Sequence, residues 1–226
     1  MGLAAAWDVG FLGRRRRNPL RAGSPIVRPV IRRACDIVVS SLALALGAPA
    51  LALAILAIRL DSPGPAIYRQ RRTGRAGREF DVFKLRTMVA GAEHLGAGLA
   101  IDADDPRVTR VGAFLRRTSL DELPNLVNVL RGEMSLIGPR PTLPVQVEQY
   151  SERQRGRLSI KPGITGWAQV NGRASLPWAD RIELDLYYIE QRSLTLDLRI
   201  LWRTLTLVLG GSGLYKGEAG GWEGEL

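Results

Sequence analysis

The most conspicuous pattern along the chain is an apolar run at residues 37–58, "IVVSSLALALGAPALALAILAI", with no charge in 22 positions. A straight helix of that length measures about 33 Å, enough to cross a hydrocarbon core of about 30 Å. Gly47-Ala48-Pro49 falls at its centre and leaves apolar arms of ten and nine residues, each about half a bilayer long as helix. Both flanks are basic, with Arg32 and Arg33 before the run and Arg59, Arg69, Arg71 and Arg72 after it. Because positive flanks favour the cytoplasmic side, the pattern predicts a re-entrant helix–break–helix over 34–60, kinked at Pro49. A true span and a buried soluble helix are the alternatives. The run begins too late and is too long for a cleavable signal peptide.

Beyond it the periodicity changes. "AIYRQRRTGRAGREFDVFKLRTM" reads as two strands, about 66–71 and 79–86, joined by a basic turn containing glycine. A Gly/Ala-rich loop, 89–106, follows, then a short basic helix in "VTRVGAFLRRTS" and another helix near 124–131. Gly and Pro in "RGEMSLIGPRPTLP" enforce a loop around Arg140. "VQVEQYSERQRGRLS" predicts a solvated helix, and "KPGITGWAQVNGR" a turn-rich stretch. In "WADRIELDLYYIEQRSLTLDLRILWRTLTLVL" apolar and aromatic residues recur at helical spacing. There Trp178, Tyr187, Tyr188 and Trp202 suit either a core or an amphipathic helix at a lipid interface. The expected fold is mixed α/β and mostly helical: a basic arm at 1–33, the membrane helix at 34–60, a cytoplasmic catalytic domain with a small β-hairpin and interfacial helices at 61–210, and a flexible tail at 211–226.

Charge sharpens the membrane reading. Of the formal +10, residues 1–33 carry +7, from eight arginines against Asp8. Such an arm suits an anionic lipid surface, at about 1 kcal/mol per basic residue close to it, or a nucleic acid. With an apolar run directly behind it, lipid is the expected partner and nucleic acid is not. Cys35 and His94 are the only residues of their kinds. Disulfides and Cys/His zinc sites are thereby excluded, as are His-activated nucleophiles because His94 falls in the Gly/Ala-rich stretch "AGAEHLGAGLA", which reads as a mobile loop, and no phosphate-cradling glycine motif occurs. The chemistry falls to carboxylates, Arg/Lys, hydroxyls, or a metal held by oxygen.

One stretch concentrates those groups. "RRTSLDELPNL", residues 116–126, sets Asp121 beside Glu122, behind two arginines and ahead of Pro124. Ser119-x-x-Glu122 fits a capping box. That register puts the proline at the fifth helical position, whereas a cap at Asp121 puts it where no N–H is needed. In either case a helix start lies under the two carboxylates, whose positive dipole suits phosphate.

"FKLRTM" (83–88), "DPRVTRVGAFLRRTSLDELPNL" (105–126), "NVLRGEMSLIGPRP" (128–141), "KPGITGWAQVNGR" (161–173) and "ELDLYYIE" (183–190) together carry a resemblance. Over roughly residues 30–210 the chain resembles the polyprenyl-phosphate phosphoglycosyl transferases, or bacterial sugar transferases, in their short single-domain form. Such enzymes break their re-entrant helix at a proline, which fits Pro49, although the serine often preceding it is Ala48 here. The resemblance implies a bacterial inner-membrane enzyme, facing the cytoplasm, that transfers a sugar-1-phosphate from a UDP-sugar to polyprenyl phosphate and releases UMP. It starts exopolysaccharide or glycoconjugate synthesis. Asp121 would be the nucleophile, ionised at neutral pH without help if its pKa stays near about 3.9. Glu122 would help hold Mg²⁺ with Asp121 and assist proton movement. Lys84, Arg116, Arg140 and Arg173 would hold substrate phosphates. Two rival functions are a membrane-tethered basic scaffold and a UDP-sugar hydrolase that needs no lipid.

Overall fold

The structure is a computed structural model and describes residues 29–92, 105–172 and 175–210. The basic arm up to residue 28, most of the 89–106 loop with His94, Arg173, and the 211–226 tail lie outside the described residues.

A single helix, α1 (Pro29–Asp61), contains the whole apolar run, and among the described residues it alone is long and apolar enough to cross a membrane. The expected break is absent: helical structure continues through Gly47-Ala48-Pro49. A helix-interior proline deletes one hydrogen bond, here to the carbonyl of Ala45, and crowds that carbonyl. Its usual result is a bend, and the apolar turns on either side keep their own bonds. Arg32 and Arg33, assigned to the arm by their charge, belong to this helix.

An antiparallel hairpin follows, β1 (Ile67–Thr73) and β2 (Glu79–Leu85), with Tyr68 opposite Lys84 and Arg72 opposite Phe80. Next come α2 (Arg110–Thr118), α3 (Asn125–Arg131) and a short strand β3 (Ser135–Ile137). The stretch expected to be a solvated helix forms two short ones, α4 (Pro144–Glu148) and α5 (Glu152–Arg155), whose surroundings bury Val147, Tyr150 and Arg157. The turn-rich segment holds a strand, β4 (Gly163–Thr165), and α6 (Trp167–Val170). β4 pairs in parallel with β3, a pairing no local pattern announces. Two longer helices, α7 (Trp178–Glu190) and α8 (Leu194–Gly210), complete the described chain.

α1 lies along this domain and is held at both ends. Near its start, Arg33 donates to the Val129 and Leu130 carbonyls that end α3, at 2.5 and 2.6 Å. One turn on, the buried Asp36 carboxylate accepts from the Ser135 hydroxyl and the Leu136 amide of β3. At the other end Ala54 and Ile58 pack with Leu85 and Leu115, and the buried Arg86 guanidinium donates to the Ser62 and Pro63 carbonyls just past the helix, both at 2.7 Å, and at 3.4 Å to the Ile58 carbonyl of its last turn. Arg86, inside "FKLRTM", therefore closes a helix end.

The opposite side of α1 exposes Val38, Leu42, Leu46, Leu53 and Leu60. On α8, Leu194, Leu198, Leu201, Trp202 and Leu205 form an exposed stripe at helical spacing. Phe114 of α2, which neighbours α8, is exposed as well. An apolar surface of this extent marks an interaction face.

Gly112 lets α2 approach the segment that leaves the hairpin after β2. A Cβ there would stand 1.9 Å from the Thr87 carbonyl oxygen, which is backbone and cannot swing aside. Gly112→Ala should lower stability by at least the upper end of the about 1–3 kcal/mol seen for overpacked sites, read as a fall in melting temperature.

Candidate active site

α2 ends in a way that spends Ser119. This residue takes a left-handed conformation (φ 56°, ψ 17°), and its amide closes the helix on the Leu115 and Arg116 carbonyls. Leu120–Glu122 then form one 3₁₀ turn, and Pro124 stands at the entry to α3, where its missing N–H costs nothing. Neither helix start expected from the sequence is used, and Ser119 makes no side-chain cap. Helix from Ser119 would need a donor at the fifth position, where Pro124 has none. The carboxylates thus project from a tight turn between two helices, and the positive field around them comes from side chains.

Those side chains arrive from three directions. The Glu122 Oε1 accepts from Lys84 Nζ of β2 at 2.9 Å and from Arg140 Nη2 at 2.7 Å. Lys84 and Glu122 are largely enclosed, while Arg140 is half exposed, at 48%. Burial alone would raise the Glu122 pKa, but Arg140 and Lys84 outweigh it and hold the carboxyl well below the usual range. Glu122 thus holds two cations in place as their shared acceptor, and its expected part in proton movement belongs with the proposal below.

Asp121 behaves oppositely. Burial, and then the Glu122 charge, push it up to about 6 against the pull of Lys84, Arg116 and Arg140. The expectation of an ordinary aspartate pKa is corrected, although an acid at about 6 is still mostly ionised at pH 7. Among the described residues none hydrogen-bonds to its carboxylate, which leaves it open to attack an electrophile or to bind a cation. Arg116 stands at the edge of the cluster, its Nε donating to the Thr87 hydroxyl at 2.8 Å.

Arg140 is set from behind by backbone packing. A Cβ at Gly138 would stand 2.6 Å from the Lys161 carbonyl, and one at Gly163 would stand 2.1 Å from the Gly138 nitrogen. "IGPRP" and "KPGITG" thus meet backbone to backbone, through Gly138 N–H to Thr165 O and Gly163 N–H to Pro139 O. The Arg140 carbonyl accepts from Arg157 Nη2 at 2.9 Å. Arg157 is buried, paired to Asp185 of α7 at 2.6 Å, and donates to the Tyr150 hydroxyl. Sequence reasoning missed Arg157, whose charge in a polar stretch looks solvated. It also missed Arg72, which alternation along β1 could have placed on the Lys84 face.

No cluster of three or more His, Cys, Asp or Glu occurs among the described residues. Two adjacent carboxylates, one without a described hydrogen-bond partner, nevertheless suit Mg²⁺, which uses one or two carboxylates and fills its shell with water and phosphate oxygens. The centre of α1 is close by: a Cβ at Gly47 would be 3.5 Å from Leu123, the residue after Glu122.

Residues 27–211 match the bacterial sugar transferase family. The chain is 44% identical over 207 residues to the UDP-glucose:undecaprenyl-phosphate glucose-1-phosphate transferase of Caulobacter vibrioides, covering 87% of this chain and 77% of that protein. It is 40% identical over 200 residues to the UDP-N-acetylgalactosamine-undecaprenyl-phosphate N-acetylgalactosaminephosphotransferase of Aeromonas hydrophila, covering 84% and 47%. To an uncharacterized sugar transferase of Haemophilus influenzae it is 41% identical over 200 residues, covering 82% and 42%. The chain thus spans less than half the length of the last two.

Proposed function

The chain belongs to the bacterial sugar transferase family, and from that premise we propose that it transfers a sugar-1-phosphate from a UDP-sugar to undecaprenyl phosphate. The observation that carries this reading is the Asp121–Glu122 pair set among Lys84, Arg140 and Arg116. Asp121 attacks the sugar-linked phosphorus, the bond to the uridine-linked phosphate breaks, and UMP leaves with that bonding pair. The lipid phosphate oxygen then attacks the aspartyl-phosphosugar, which restores the carboxylate and yields the lipid diphosphate sugar. Lys84 and Arg140, held by Glu122, and Arg116 face the charge that builds on the phosphoryl oxygens. Arg173 belongs to the same proposed set, which only its motif supports. Mg²⁺ held by Asp121 and Glu122 would supply charge neutralisation on the diphosphate.

α1 gives the site its access to lipid. A straight crossing would carry Leu123, and with it the charged cluster, towards the bilayer centre, where ionised groups are costly. Both ends of α1 are bonded to the same domain, which supports insertion from one side, with the domain and both helix ends on the cytoplasmic face and the α8 stripe at the interface. Reporter tags on the two termini should both read as cytoplasmic, and opposite sides would refute this topology.

The direct test supplies purified protein with Mg²⁺, a panel of UDP-sugars and undecaprenyl phosphate. UMP release that requires the lipid is expected, and the panel identifies the sugar. Release of sugar phosphate without lipid would instead indicate a hydrolase.

A further inference from the structure

The hairpin face that carries Lys84 continues toward the turn. Tyr68 lies opposite Lys84, and Gln70 and Arg72 follow on the same side of β1. Arg72 is about 13 Å along the strand from the Tyr68–Lys84 pair, beside the loop that presents Arg140. Its Nη1 donates to the Pro141 carbonyl at 3.4 Å, a long bond, and its Nη2 donates to the Gln70 side-chain oxygen. Both acceptors are neutral. No carboxylate pairs with Arg72 among the described residues, and Glu122, the acidic group that acts on it, is already bound by Lys84 and Arg140. Burial, and next the Arg140 charge, hold Arg72 down to about 10, so it remains a cation at neutral pH. Partly enclosed charges in folded proteins are paired, and here Arg72, Arg140 and Lys84, with Arg116 at the edge, face two carboxylates, Glu122 and Asp121. The arrangement is short of negative charge.

We propose that Arg72 is a substrate-binding residue which, with Arg140, forms a pair of guanidiniums that grips a phosphate group of the substrate. An arginine fork makes two parallel bonds to such a group, which a lysine cannot reproduce. The proposal rests on the transferase reading only in taking the ligand to be a phosphate ester. A nucleotide diphosphate and a lipid phosphate offer the same chemistry, and the experiment separates them.

Binding of inorganic pyrophosphate, of UDP, and of a short-chain polyprenyl phosphate is measured by calorimetry on the full chain and on its R72Q and R72K variants, with melting temperature alongside. R72Q should weaken pyrophosphate binding at least tenfold. R72K, which keeps the charge and can still reach the Pro141 carbonyl, should melt as the wild type does yet bind at least threefold more weakly. Whichever of UDP and polyprenyl phosphate shows the same loss is the source of the phosphate. Wild-type affinity for pyrophosphate in R72K overturns the proposal, as does a wild type that binds none of the three probes. Pyrophosphate binding needs no turnover, so a wild type inactive with every UDP-sugar would sink the transferase reading and leave this one standing.

Discussion

Asp121→Asn will reduce UMP release by about 10³-fold or more, the scale on which enzymes lose activity with their nucleophile, while the protein remains at least as stable as the wild type. The second half of this expectation is what separates a reactive carboxylate from a structural one. Asp121 has no described hydrogen-bond partner, and burial with the neighbouring Glu122 raises its pKa from 3.8 to about 6. The native state therefore holds a proton that the unfolded chain has released, and the Asp121 contribution to stability falls as pH rises from about 4 to about 6. The Asn side chain is neutral and similar in shape, so the variant lacks that fall. Glu122 has the opposite sign: its depressed pKa adds stability that is present above the ordinary glutamate range and lost on acidification. Melting temperatures without added divalent cation at pH 4.5 and pH 7 should rise more between the two values in the variant than in the wild type. Undiminished UMP release would end the covalent mechanism, and a large loss of stability at pH 7 would recast Asp121 as structural.

The resemblance, helped by the scarcity of Cys and His, pointed to Asp121, Glu122, Lys84 and Arg140 as one set, and the structure brings them together, Lys84 and Arg140 both on Glu122, while their roles in a reaction belong to the proposal. The hairpin, α2 and α3 were legible because their signals are local: alternation, helical spacing, glycine and proline. The local geometry of the pair was not. Ser119 fits a capping box, yet it terminates the preceding helix, since Pro124 forbids the register in which the box would work. The break at Pro49 was over-read for a related reason, because a proline removes one helical bond and the apolar arms of ten and nine residues on either side supply many. The parallel β3–β4 contact lay beyond any local pattern. It joins segments about 25 residues apart, and its requirement is steric: glycine at 138 and 163, where backbones meet. Arg157 and Asp185 were hidden because a charged residue buried by tertiary packing looks, in sequence, like one on the surface.

That hidden pair carries the second large effect. Asp185→Ala will destabilise the protein by about 3–5 kcal/mol, the cost of stranding one member of a buried ion pair, because Arg157 is 5% exposed and loses its only described carboxylate partner. Stability alone would not distinguish packing from function, whereas the double variant Arg157→Met, Asp185→Leu does. It removes both charges and refills the space with apolar atoms, a replacement that is often neutral or stabilising. Much of the lost melting temperature should return. Activity should not, because the Arg140 carbonyl no longer has the Arg157 donor that fixes it, and the half-exposed Arg140 can leave Glu122 and the substrate phosphate. The double variant should therefore melt near the wild type while kcat stays at least tenfold lower. Recovery of kcat together with stability would show that the pair only packs α7 against the site. If both stay low, the cavity was not refilled, and a crystal structure of the double variant would show whether Arg140 has moved from the 2.7 Å contact with Glu122.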